Sequence, residues 1–131
     1  MKIYNSGPAI PAQDIKRARE FYEQKLGLQP SNPGPDGSVV YHTGETRFTL
    51  FPSTGKASGT HTQMGLEVDD VKAAVEELKT KGVQFEEYDF ENFKTEGSVL
   101  STPDGGKVAW FKDSEGNLIS VSSALPSATR N

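Results

Sequence analysis

A run that opens on an acidic residue and closes on a glycine occurs twice in this chain, and no other feature constrains the fold as much. Asp14 opens DIKRAREFYEQKLGL, and Asp70 opens DVKAAVEELKTKGV. Each run has an acidic cap, apolar residues at helical spacing, a late lysine and a terminating glycine, and each follows a short strand-like run. Self-similarity at roughly half the chain length implies a duplicated module. Two copies of a sheet-plus-helix unit set two half-sheets edge to edge around a concavity. Whatever lines that concavity becomes the candidate for function.

The local patterns fill in the module. Ile3 to Ile10 reads as a strand, weakened by Gly7 and Pro8. Asp14 is a helix N-cap, because its carboxylate can accept from the orphan amides of the first turn. Ile15, Ala18, Phe21, Tyr22 and Leu26 then build one apolar face, and Gly27 ends the helix. Ser38 to His42 and Arg47 to Phe51 flank Thr43-Gly44-Glu45-Thr46 as a hairpin. A polar linker over 53–60 leads to a strand at Thr62 to Val68. A helix follows, burying Val71, Ala74, Val75 and Leu78 and ending at Gly82. Further strands are expected over 83–88, 97–101, 107–112 and 117–122. The fold class is α+β: two tandem βαβββ modules forming a cupped mixed sheet with helices on the outer face. Module one covers about 1–52, module two about 61–123, together one domain of 1–123, and 124–131 reads as a flexible tail.

Composition excludes several classes. The chain has no cysteine, so thiolate metal sites, disulfides and cysteine nucleophiles are out. A net charge of −4 leaves no electrostatic footprint for nucleic acid. No apolar run is long enough to span a bilayer, and the start MKIYNSGPAIP lacks a signal-type apolar segment. The expectation is a soluble, cytoplasmic protein with neither nucleic-acid nor membrane partners. GGK at Gly105 to Lys107 lacks the remainder of a phosphate-binding loop and reads as a turn.

Three motifs in order then carry a resemblance. AQDIKRAREFYEQKLGL is similar to the first-helix signature of the vicinal oxygen chelate superfamily. LEVDDVKAAVEELKTKGV resembles its second-module counterpart. VAWFKDSEGNLISV resembles its closing hairpin, with DSEGN in place of the commoner DPDGN. The superfamily includes glyoxalase I, extradiol dioxygenases, fosfomycin-modifying enzymes and bleomycin-binding resistance proteins. The resemblance implies paired βαβββ modules, a homodimer, and a ligand held in the cup of the sheet. In metal-using members a divalent ion is bound there by His and Glu from four strand positions. Carried onto this sequence, those positions are Gly7, about Thr49, Gln63 and Ser120. Glycine has no donor, and neutral amide or hydroxyl oxygens are poor ligands for a transition metal. The expectation is therefore no metal and no cofactor. His42 and His61, the two histidines, leave open a displaced site with Glu67.

Strand alternation gives the lining. Gln63 and Glu67 share one face of their strand. In the first hairpin His42, Arg47, Thr49 and Phe51 point to the cup, with His42 opposite Arg47. In the last hairpin Val108, Trp110, Ile119 and Val121 form the apolar side, which leaves Phe111 and Ser120 for the cup. The expected ligand-binding set is His42, Arg47, Thr49, Phe51, Gln63, Glu67, Phe111 and Ser120. Arg47 with His42 suits a carboxylate or phosphate, and the alternative is a solvated strand residue. Phe51 and Phe111 suit a planar ligand, and the alternative is packing at a seam. The leading expectation is a metal-independent small-molecule binder of the glyoxalase/bleomycin-resistance type. The alternative is a lyase, isomerase or dioxygenase-like enzyme using a relocated metal or a metal-free base, Glu67 or His42. A scaffold with a vestigial cup is the third reading.

Overall fold

Both acidic residues that open the repeated runs cap helices in the structure, a computed structural model that describes residues 1–123. Oδ1 of Asp14 accepts from the amide of Arg17, and Oδ1 of Asp70 from that of Ala73, each at 3.0 Å. The expected tail, 124–131, lies outside the described residues. The chain divides into two units. One comprises Met1–Gln63 with Asp113–Asn117; the other comprises Met64–Lys112 with the chain from Leu118 onward.

In the first unit β1 (Ala9–Ala12) leads into α1 (Ile15–Glu20), and β2 (Val39–Thr43) and β3 (Thr46–Pro52) follow. The sheet order is β1-β3-β2, with β1 parallel and β2 antiparallel to β3. A bridge from Pro30 to Tyr41 continues it beyond β2. The alternation is clean. Ile10, Ala12, Val39, Tyr41, Phe48 and Leu50 are buried on the helix side, while His42 and Arg47 lie exposed on the other. The first strand begins six residues later than Ile3, since Ile3 and Tyr4 remain exposed with no layer to pack against.

The helix departs from the expected regular run. After Glu20 it widens into a π-helical turn, Phe21–Lys25, in which the amide of Leu26 reaches back five residues to the carbonyl of Phe21 at 3.2 Å. Such a turn inserts an extra residue into the helix. Here Phe21 and Tyr22, adjacent in sequence, are both buried. Tyr22 stacks on Tyr41 at 5.8 Å and meets Phe48 at 5.5 Å.

The second unit repeats the topology. β4 (Thr62–Glu67) starts at the boundary, and α2 (Val71–Thr80) follows it. A short hairpin comes next, β5 (Asp89–Phe90) with β6 (Phe93–Lys94), followed by β7 (Leu100–Ser101), β8 (Lys107–Lys112) and β9 (Leu118–Ser122). The sheet order is β4-β9-β8-β7, so here too the first strand lies beside the last. The two bear the same plan. The strand expected over 83–88 reduces to a bridge from Phe85 to Phe111, and 97–101 keeps only its last two residues. The reason at 97–98 is local: Gly97 and Ser98 both take positive φ in a tight turn, and Ser98 Oγ donates to Glu87.

The turn between β8 and β9 is the best-tied segment of the first unit. Asp113 is buried and its carboxylate accepts four hydrogen bonds. Three come from the hydroxyl of Tyr22 at 2.6 Å, the amide of Glu115 at 2.8 Å and the amide of Asn117 at 2.9 Å. The fourth comes from Nδ2 of Asn117 at 2.8 Å, which also donates to the carbonyl of Pro11 at 2.9 Å. Two bonds from Arg17 hold the Glu115 carboxylate, at 2.7 and 3.1 Å, and the amide of Asp14 adds a third at 2.9 Å. DSEGN is thus a lock onto β1 and α1.

Candidate functional site

The helix-free face of the first sheet carries four of the expected residues together. His42 pairs with Arg47 across β2 and β3, and Thr49 and Phe51 follow Arg47 on the same side of β3. Phe48 and Leu50 alternate with them into the core. The segment preceding β1 lies along this edge: the amide of Thr49 donates to the carbonyl of Pro8 at 3.0 Å. Gly7 sits so close to β3 that a Cβ there would come within 2.7 Å of the Arg47 carbonyl. Asn5, Ser6, His42, Glu45, Thr46 and Arg47 line a half-open cavity of about 260 Å³ beside it.

In the second unit β4 buries Met64 and half-buries Leu66, as its alternation predicts, and leaves Gly65 and Glu67 exposed. Gly65 faces Ser120 on β9 so closely that a Cβ would reach Ser120 Oγ at 3.1 Å. Oε1 of Gln63 is buried with no hydrogen-bond partner among the described residues.

The last hairpin corrects the expected register. β8 and β9 pair Trp110 with Ser120 and Phe111 with Ile119. Ala109 packs with Val71 and Val75 of α2, and Phe111, two residues on, is fully buried against Phe85 at 5.5 Å. Phe111 is therefore a core residue and not a ligand contact. Trp110, expected on the apolar side with Ile119, instead takes the place expected of Phe111 on the Ser120 face, flanked by Tyr88 at 5.4 Å and Phe93 at 5.3 Å. Both parities of KVAWFK are apolar, so alternation within β8 does not choose between them. The sequence signal lay in β9. Facing residues of an antiparallel pair share a side, and Ile119 and Val121 are apolar where Ser120 and Ser122 are polar.

The four positions implied for a divalent ion do not fit one. Gly7 offers no donor, and the 2.7 Å approach leaves no room for a side chain without moving the backbone. Thr49, Gln63 and Ser120 supply neutral oxygens. His61 lies just before β4 with Nδ1 3.2 Å from Ser58 Oγ, and His42 lines the cavity on β2. Among the described residues no three His, Asp or Glu side chains converge as a metal centre.

Titration is perturbed in the lock, away from this face. Burial and the neighbouring Asp113 carboxylate push the Tyr22 phenol far up. Burial also works to raise Glu115, but hydrogen bonds from Arg17, the Asp14 amide and Ser114 outweigh it and hold the carboxylate below its ordinary value.

Residues 8–121 match the sequence profile of the Glyoxalase/Bleomycin resistance protein/Dioxygenase superfamily. The chain belongs to this superfamily. The uncharacterized protein YetH of Bacillus subtilis (strain 168) is 26% identical over 121 residues, 84% of this chain and 89% of that one. Mitochondrial methylmalonyl-CoA epimerase of Mus musculus is 36% identical over 93 residues, 58% of this chain and 52% of the epimerase, so the chain spans about half of it. Among solved structures, the fosfomycin resistance protein FosX of Listeria monocytogenes superposes with a TM-score of 0.75. That match covers 98% of each chain at 11% identity, a likeness of fold alone. No helix among the described residues is long and apolar enough to cross a membrane.

Proposed function

We propose that this protein is a small-molecule-binding member of the superfamily that works without the divalent ion of its metal-using relatives. The observation that carries the reading is Gly7. Where the family resemblance implies a metal ligand, the chain passes so near the Arg47 carbonyl that even a methyl group is excluded. The three remaining positions are neutral oxygens, which a transition metal does not favour over water. The helix-free face of the first sheet instead carries a cation, an imidazole, a hydroxyl and an aromatic ring, in Arg47, His42, Thr49 and Phe51. A concave surface with a few polar anchors amid apolar groups suits a small organic ligand.

The test is metal content and thermal melting of untagged protein, first with chelator and then with added zinc, nickel, manganese and iron(II). The expected result is no stoichiometric metal and an unchanged melting temperature. One ion per chain, with stabilisation that grows with its concentration, overturns the reading. A second reading, an isomerase or lyase that moves a proton, draws support from the 36% identity with the epimerase. It needs a base at Glu67 or His42, and turnover lost in Glu67→Gln or His42→Gln would favour it.

A further inference from the structure

The geometry points to the cavity beside Arg47 as a subsite for the carboxylate of a small organic acid, an inference that rests on the small-molecule reading above and names the class of ligand. Its lining is chemically unspent. Among the described residues Arg47, His42, Glu45, Asn5 and Ser6 have no side-chain hydrogen bond or ion pair within the protein. The other two arginines of the unit differ. Arg17 is held by Glu115, and Arg19 by Glu23, which in turn takes the Tyr41 hydroxyl. In the groove along α1 the guanidinium of Arg19 is therefore already paired, whereas the cavity beside Arg47 presents an open guanidinium fork. Such a fork matches two coplanar oxygens. His42 stands opposite it across the strands, and the amide of Asn5 and the hydroxyl of Ser6 add neutral donors.

Charge selects among anions. One arginine faces one carboxylate, Glu45, in the same cavity, and the two remain beyond ion-pairing distance of each other. A phosphate dianion would bring two negative charges to a site whose own fixed charges nearly cancel. A monoanionic carboxylate brings one, and it can keep to the Arg47 side.

Gly7 links this subsite to the missing metal. The wall made by Asn5 and Ser6 exists because the preceding segment runs against β3, and it does so only because position 7 has no Cβ.

The experiment is a titration of ¹⁵N-labelled protein with propionate, phenylacetate and inorganic phosphate, read at the amides of 5–6 and 44–47 and at Nε of Arg47. The expected result is saturable shifts at these positions with both carboxylates, and weaker binding of phosphate. Arg47→Gln should weaken carboxylate binding by about tenfold or more. Glu45→Gln should tighten it, because a like charge is removed. Gly7→Ala should weaken it several-fold with little change in melting temperature, since residues 1–8 make no strand of their own. Absence of saturable shifts, or shifts unchanged in Arg47→Gln, overturns the subsite, as does tighter binding of phosphate than of either carboxylate. Metal binding in the earlier test would sink metal independence while leaving these shifts to stand or fall alone.

Discussion

At the scale of single residues, Asn117 is the most exacting position in the chain. Both hydrogens of its amide nitrogen are spent on acceptors, Asp113 Oδ2 and the Pro11 carbonyl, so the orientation of the amide is fixed by its partners. Oδ1 is left buried without a partner among the described residues. Asn117→Asp changes one atom and hardly any volume, yet it would set a carboxylate oxygen against two acceptors at under 3 Å. The expected cost is roughly 3–5 kcal/mol in urea unfolding, the scale of an uncompensated buried charge. Tyr22→Phe removes one donor from the same centre and should cost about 1–3 kcal/mol. The pH dependence follows from the same groups. Glu115 has its folded pKa depressed, so the stability it contributes is present above the ordinary value of 4.5 and disappears as the pH falls through the folded value. Tyr22 has its pKa raised, so its contribution is present below 10.0 and fades as the pH climbs beyond. Melting temperature against pH should therefore drop at both ends, and Glu115→Gln should flatten the acid limb.

At the scale of elements, the two caps allow a matched comparison. Asp70 supplies its helix with a single side-chain bond to Ala73, while Asp14 caps its helix and also donates its own amide to Glu115. Asp70→Ala should cost about 1 kcal/mol by chemical unfolding, as N-cap removal generally does. Asp14→Ala should cost a similar amount, because the backbone amide survives the substitution. These caps were legible in the sequence, as were both hairpins and the faces of β2, β3 and β4, because each rests on local chemistry or on strict alternation. The π-helical turn was not legible. Its Tyr22 hydroxyl bonds to Asp113, and a partner 91 positions away leaves no local mark. The placement of Phe111 failed for a related reason: β8 is apolar on both faces, and α2 and Phe85 decide which one is buried. In the candidate site, the pairing of His42 with Arg47 could be read from the hairpin, and the missing donor at Gly7 is what the family resemblance implies when its ligand positions are carried onto this sequence. The close approach of Gly7 to β3 could not be read, since it depends on where the segment before β1 lies.

At the scale of the molecule, the order of the units along the chain sets how it should unfold. The chain leaves the first unit after Gln63, returns to it for Asp113–Asn117 and then leaves again. The five returning residues carry the densest hydrogen bonding of that unit, and their flanks are the ends of β8 and β9 in the other. If Asp113 loses its hold on Tyr22 and Asn117, the turn closing the β8–β9 hairpin is released with it. That hairpin forms the centre of the second sheet, so an injury made in the first unit should be felt in the second. The single tryptophan, Trp110, lies on β8 between Tyr88 and Phe93 and reports on the second unit without any label. Urea unfolding followed by Trp110 fluorescence and by far-ultraviolet circular dichroism should give coincident midpoints, the mark of one cooperative transition. Asp113→Ala should shift both midpoints down together. A tryptophan transition that stays in place while the dichroism midpoint falls would mean that the units unfold separately, and that the turn serves the first unit alone.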